Sequence, residues 1–218
     1  MALSHSYSSI KDFENCRRKY HEVRILKKFK QSDTEATLYG TAVHLAMEEF
    51  LRDGKAIPPQ YAQFSKFVDP LVGVKGELFC ERKMGLTAEF APCDFMAKDV
   101  WFRAIPDVLI VNQDTGVARI VDWKTGKSSR YADPAQLELL AAMTMQYYPE
   151  IHTVKGVLVF LVAGDAVRAE YTRAQLPSML SKWVGRAAAI ESAVEHSNWG
   201  PSKSPLCKFC PVSACEYN

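Results

Sequence analysis

Two short apolar runs end in residues that could work on a phosphate. Ile120-Val121 leads into Asp122-Trp123-Lys124-Thr125-Gly126. If that run is a strand, Asp122 and Lys124 lie two apart and share one face. Fifteen positions upstream stands Asp107, in Pro106-Asp107-Val108-Leu109-Ile110-Val111. The stretch Asn112-Gln113-Asp114-Thr115-Gly116 between the runs is a turn by composition. The runs then form a hairpin, with Asp107 opening one strand and Asp122 closing the other at the same end. Two carboxylates there can position Mg²⁺, which prefers oxygen ligands and keeps some of its waters. Lys124 can orient or activate an attacking water and neutralise charge that develops on the phosphate.

Asp-x-Lys on its own reads as a salt-bridged strand end. Pro106-Asp107 one strand earlier shifts that reading towards metal chemistry, and two further residues shift it again. His44 follows Gly40-Thr41-Ala42-Val43 on a helical stretch and can add a nitrogen ligand, which brings Mn²⁺ in beside Mg²⁺. Gly40-Thr41 implies that this helix packs closely against another backbone. Gln136 is uncharged, does not compete for metal, and can hydrogen-bond a phosphate or a base edge. A further acid, Glu81, has no assignable position. The residue set points to metal-dependent phosphodiester hydrolysis.

The tail carries separate chemistry. Cys207-Lys208-Phe209-Cys210 is a C-x₂-C pair, and Cys215 follows. Three cysteines this close can bind one centre that needs a fourth thiolate. Tetrahedral zinc and an iron–sulfur cluster both suit them. Cys16, Cys80 and Cys93 are the other cysteines of the chain.

These residues need a scaffold. Residues 8–30 read as mainly helical, capped by Ser8 or Ser9, with Ile10, Phe13, Cys16 and Tyr20 in one stripe. Residues 31–37 read as a loop, 38–51 as a helix stopped by Gly54, and 60–71 as a short helix. Strands are expected at 76–84, 87–90, 95–98, 106–111, 117–124, 154–162 and 167–171. Helices are expected at 136–148, after Asp133-Pro134, and at 175–195. Residues 199–218 lack periodicity and need a ligand to order them.

The chain has 218 residues, 48% hydrophobic, enough for one domain with a large core. Its formal charge of +2 is no strong nucleic-acid signature. The cations are unevenly spread, however. Lys11, Arg17, Arg18, Lys19, Arg24, Lys27, Lys28 and Lys30 crowd the first thirty residues, as a solvated helix face or a phosphate-facing surface. No apolar stretch is long enough for a bilayer span and no signal peptide is visible, so a soluble intracellular protein is expected.

Taken together, the motifs resemble the RecB-like branch of the PD-(D/E)XK nucleases, including CRISPR-adaptation exonucleases and phage-encoded relatives. Ser6-Tyr7-Ser8-Ser9-Ile10 with Cys16-Arg17-Arg18-Lys19-Tyr20 is similar to that family's N-terminal cysteine helix. Gly40-Thr41-Ala42-Val43-His44 is similar to its histidine motif. Pro106-Asp107 and Asp122-Trp123-Lys124 are similar to its signature motifs, Gln136-Leu137 to the motif after them, and Cys207, Cys210 and Cys215 to its C-terminal cysteines.

The resemblance implies an α/β fold, a restriction-endonuclease-like mixed central sheet flanked by helices, spanning 1–218 as one nuclease domain. It implies His44, Asp107, Asp122 and the Trp123 carbonyl as metal ligands, with Asp107, Asp122 and Lys124 catalytic and Gln136 touching substrate. It implies a structural 4Fe–4S cluster on Cys16, Cys207, Cys210 and Cys215, which would pack residues 199–218 against the 8–30 helix; zinc is the alternative. The implied activity is Mg²⁺- or Mn²⁺-dependent DNA cleavage, exonucleolytic at single-stranded or duplex ends, in the cytoplasm of a bacterial or phage-infected cell. A helicase or recombination partner would supply the DNA, since the chain has no Walker-type G-x-x-x-x-G-K-[ST]. Family members often carry a tyrosine four residues after the glutamine, and Leu140 stands there instead. The rival reading is a non-catalytic DNA-binding or assembly protein on the same fold.

Overall fold

The β5–β6 hairpin is the centre of the molecule. In the computed structural model, which describes residues 3–130 and 132–218, β5 (Val108–Asn112) and β6 (Val117–Lys124) pair antiparallel with Val108 opposite Val121. β1 (Glu77–Cys80) adds to the outer side of β5, antiparallel, with Cys80 opposite Val108. On the other side β7 (Thr153–Phe160) runs parallel to β6, and β8 (Asp165–Thr172) closes the edge antiparallel. The sheet order is β1-β5-β6-β7-β8, a mixed five-stranded sheet. The parallel β6–β7 step requires a crossover, which α5 (Ala135–Tyr147) supplies.

Strand alternation divides the core into two layers. Val108, Ile110, Val121 and Trp123 pack with Val43 and Met47 of α3 (Glu35–Asp53) on one face. Leu109, Val111, Ala118 and Ile120 pack on the other face with α1 (Tyr7–Asn15), α5 and α6 (Leu176–Glu195). Asp122 falls on the α5 side of β6, between the inward-facing side chains of Val121 and Trp123. α5 approaches the sheet closely over Gly156 of β7, where an added Cβ would sit 3.1 Å from Leu137 Cδ2. A glycine there lets the helix that carries Gln136 settle onto the strand.

A second sheet, β3-β2-β4, is built from β2 (Met84–Leu86), β3 (Pro92–Cys93) and β4 (Phe102–Ala104). The expected strands at 87–90 and 95–98 are instead turns around β3. Hydrophobicity there reflects packing of isolated aromatics such as Phe90, not a pleated run. The expected strand at 76–84 also stops at Cys80.

The N-terminal helix is broken. Ser6, not Ser8 or Ser9, is its N-cap, in a capping box with Ser9. Cys16 is extended, at φ −164° and ψ 110°, and its Sγ accepts from Lys19 N as the cap of α2 (Arg17–Tyr20), which runs on into a π-helical turn at His21–Ile25. α3 starts earlier than expected because Thr34 and Thr37 form a capping box, which turns part of the expected loop into helix. It stops at Gly54, in the left-handed region at φ 68°, as expected. Residues 59–71 form short 3₁₀ turns around α4 (Ser65–Val68). Pro134 stands at the N-cap of α5 where Asp133 was expected, although the Asp133 side chain accepts from Ala135 N at 3.0 Å.

Candidate metal centre

Sheet register puts three acids in a row. Glu81 follows β1 directly opposite Asp107, and Asp107 precedes β5 opposite Asp122. The acids therefore stand on three neighbouring strand ends. The Glu81 N–H donates to the Asp107 carbonyl at 3.1 Å, which locks this register. Glu81 has φ 51°, a left-handed conformation uncommon for a residue with a Cβ.

α3 contributes His44 from above the sheet. Its Nδ1 lies 3.3 Å from Asp107 Oδ1. One ligand atom each of His44, Glu81 and Asp107 lie within 4.8 Å of one another. Asp107 Oδ2 accepts from the Trp123 N–H at 2.5 Å, so the first acid is clamped to the strand that carries the second. Asp122 is 3% exposed. Lys124 forms an ion pair with its Oδ1, and the Gln136 side-chain amide donates to its Oδ2. Gly40 allows α3 to lie close to the chain after Lys124: a Cβ there would sit 2.9 Å from Thr125 Oγ1. The expected close approach is real, but its partner is a side chain and not backbone.

The electrostatics are those of a cation site. Burial, and then the Asp107 and Glu48 charges, push the Glu81 carboxyl up to about 7. Burial pushes Asp122 up to about 6, with Asp107 adding to the rise and Lys124 opposing it. Burial works against the charged form of His44, but the Asp107 hydrogen bond and charge outweigh it and its value rises. Carboxylates crowded in a low-dielectric cleft resist ionisation until a cation arrives. Hard oxygen donors with one imidazole suit Mg²⁺ or Mn²⁺. A cleft lined by Tyr39, His44, Glu48, Glu81 and Thr125 opens this cluster to solvent.

A model of the PD-(D/E)XK nuclease superfamily matches residues 4–75 and 70–215. The chain belongs to the PD-(D/E)XK nuclease superfamily. PD-(D/E)XK nucleases use divalent metals, and the matched ranges contain the His44, Glu81 and Asp107 cluster. The chain resembles the crystal structure of a "Putative exonuclease" from Eubacterium rectale at TM-score 0.59 and 16% identity, covering 96% of this chain and 88% of that one. It also resembles the crystal structure of SSO0001 at TM-score 0.50 and 12% identity, covering 98% and 86%. At such identities these two establish the fold. No curated protein shows a significant match to the nuclease.

Of the residues singled out in the sequence, His44, Asp107, Asp122, Lys124 and Gln136 fall together. Glu81 is the one that sequence reading did not place. Its signal was its position at the end of a strand, legible only once β1 is known to pair with β5. Tyr147, the next tyrosine after Leu140, is not in the cluster: its hydroxyl bonds Gly85 and the Cys93 carbonyl in the small sheet.

Cys16, Cys207, Cys210 and Cys215 line one cavity of about 200 Å³. Ser202 N donates to Cys16 Sγ at 3.5 Å and Ser204 N to Cys207 Sγ at 3.3 Å. Among the described residues no three cysteine sulfurs lie within 4.8 Å of one another. Trp199 stacks on His21 with ring centroids 4.5 Å apart. No helix among the described residues is long and apolar enough to cross a membrane.

Proposed function

We propose that this nuclease cleaves DNA exonucleolytically, with His44, Glu81, Asp107 and Asp122 holding Mg²⁺ or Mn²⁺. The single observation that carries this reading is the row of three acids on adjoining strand ends, closed by His44 and backed by Lys124. Asp107 and Asp122 bind and orient the ion. The Trp123 carbonyl joins them: its N–H faces Asp107, and in an extended strand the carbonyl of the same residue points the same way, past the start of β5. When bound, the metal polarises the phosphoryl oxygen and stabilises the charge that builds there.

Lys124 holds Asp122 ionised and can turn its ammonium to the attacking water, since a third of its side chain is solvent-accessible. Gln136 fixes the second Asp122 oxygen and presents its remaining amide atoms towards the strand. Digestion of end-labelled DNA with each metal, with EDTA and with Lys124→Ala tests the assignment. A ladder of mononucleotide products lost in both controls supports it. Equal activity in wild type and Lys124→Ala overturns it.

The same reading includes a structural 4Fe–4S cluster on Cys16, Cys207, Cys210 and Cys215. A single tetrahedral zinc holds its sulfurs about 3.8 Å apart, from Zn–S bonds of about 2.3 Å. Among the described residues no three of the cysteine sulfurs lie within 4.8 Å of one another. A four-iron cluster binds each thiolate to a different iron. Backbone N–H groups aimed at Cys16 and Cys207 suit negatively charged thiolates. The cluster would staple residues 199–218 to the broken N-terminal helix. Anaerobic preparation tests this: a brown protein with iron and sulfide supports it, and a colourless one with stoichiometric zinc refutes it.

A further inference from the structure

We infer that a second groove, running from Gln136 along the N-terminal segment, binds the single-stranded flank of the DNA whose phosphodiester lies at the acid row. The inference rests on the nuclease reading of that row. The groove holds about 890 Å³ and is bounded by the chain from Leu3 to Ser9, by Arg103-Ala104-Ile105 and by the Gln136 turn of α5. It is continuous with the site at two points. Gln136 bonds Asp122, and Ile105 stands two residues before Asp107.

Its charge is one-sided. Among the described residues that line it, Arg24, Lys27 and Arg103 are cationic and none is acidic. This contrasts with the acid row beside it. Part of the N-terminal basic run, Arg24 of the groove included, is neutralised. Arg18 pairs with Glu22, Lys19 and Arg24 with Asp12, and Lys11 with Glu14 and Asp133. Lys27 is exposed and makes no ion pair among the described residues. Among the described residues Arg103 makes no ion pair; its guanidinium lies over the Phe95 ring at 5.2 Å, and its Nε is buried without a hydrogen-bond partner. Neither cation is tied to a carboxylate in an ion pair among the described residues.

The walls select the form of the strand. Phe95, Ile25, Ile105 and Leu139 give the groove an apolar lining. A duplex shows phosphates outward and hides its base faces. An unpaired strand can seat bases on apolar and aromatic walls while cations track its backbone.

Fluorescence anisotropy with labelled oligodeoxythymidylate of roughly 15 nucleotides tests the groove in the Lys124→Ala chain, so that cleavage does not intervene. Each cation on a single strand contributes about 0.7 to the slope of log affinity against log salt. Adding Lys27→Ala and Arg103→Ala should therefore flatten the slope by about 1.4 and weaken binding at least tenfold at low salt. Arg103→Lys should keep the slope. Lys27→Ala alone, at an exposed position, should flatten it by about 0.7. An unchanged slope and affinity in Lys27→Ala and in the double variant overturns the groove assignment. Failure of the Lys124-containing chain to cut the same oligonucleotide with Mg²⁺ or Mn²⁺ would instead overturn the nuclease reading, and the slopes would still decide the groove.

Discussion

Glu81→Gln separates a metal ligand from a bystander acid. Glu81 holds its proton up to about pH 7 without metal. A carboxylate must lose that proton to bind a cation. Between pH 7 and pH 6 protonation of this group alone therefore weakens metal binding about fivefold, equivalent to about 1 kcal/mol. Metal-induced stabilisation follows the same linkage. For a domain of this size 1 kcal/mol moves Tm by about 2–4 °C, so the metal-induced rise in Tm should shrink by about that much between pH 7 and pH 6.

Asp122, pushed up to about 6, adds a second proton to the competition below that pH. Glu81→Gln removes one competing proton and one anionic ligand. Its Mn²⁺ binding should be weaker at pH 8 but should lose about fivefold less between pH 7 and pH 6. Isothermal calorimetry in buffers of different ionisation enthalpy counts the released protons directly. A variant that binds Mn²⁺ with wild-type affinity and wild-type proton release would show that Glu81 lies beside the metal and not on it.

Three further outcomes follow from the same geometry. The metal-free chain should lose stability as pH rises from about 4.5 to 7, because raised Glu81 and Asp122 values mean that the folded state binds more protons than the unfolded one; the raised His44 value works in the same direction, its contribution fading as pH passes its folded value. Asp122→Asn should flatten that profile in a thermal melt while abolishing cleavage. Gly156→Ala would set a Cβ 3.1–3.3 Å from three Leu137 atoms and should cost about 1–3 kcal/mol; a denaturant midpoint unchanged from wild type would mean that α5 does not rest on β7 there. Cys16→Ser should bleach the cluster as fully as Cys207→Ser does, although 191 positions separate the two; iron retained at wild-type stoichiometry in Cys16→Ser would remove Cys16 from the ligand set.

The hairpin was legible because its signals are local: β-branched runs, a turn composition between them, and an acid at each outer end. His44 and Gln136 were legible as motif residues on helical stretches, although the start of α3 was not. Glu81 was not, because its place depends on β1 pairing with β5, a contact about thirty residues apart with no local cue. The strands expected at 87–90 and 95–98 failed for the converse reason. Short apolar stretches there feed aromatics into the core from turns, and periodicity cannot separate that from a strand. The break at Cys16 was hidden by an unbroken helical stripe. Ile10, Phe13 and Tyr20 do share one core, but the chain reaches it through two short helices, and the extended Cys16 between them turns its sulfur to Ser202 of the tail.

The central claim is that the acid row with Lys124 cuts DNA with the help of a divalent ion. The most direct test is a time course on a 5′-labelled strand and a duplex end, comparing the wild-type chain with Lys124→Ala at pH 8, each with Mg²⁺, Mn²⁺ or EDTA. The predicted result is metal-dependent shortening from an end by wild type, absent with EDTA and absent in a Lys124→Ala protein whose thermal melt is unchanged. Shortening that persists in EDTA, or at an equal rate in folded Lys124→Ala, would contradict it.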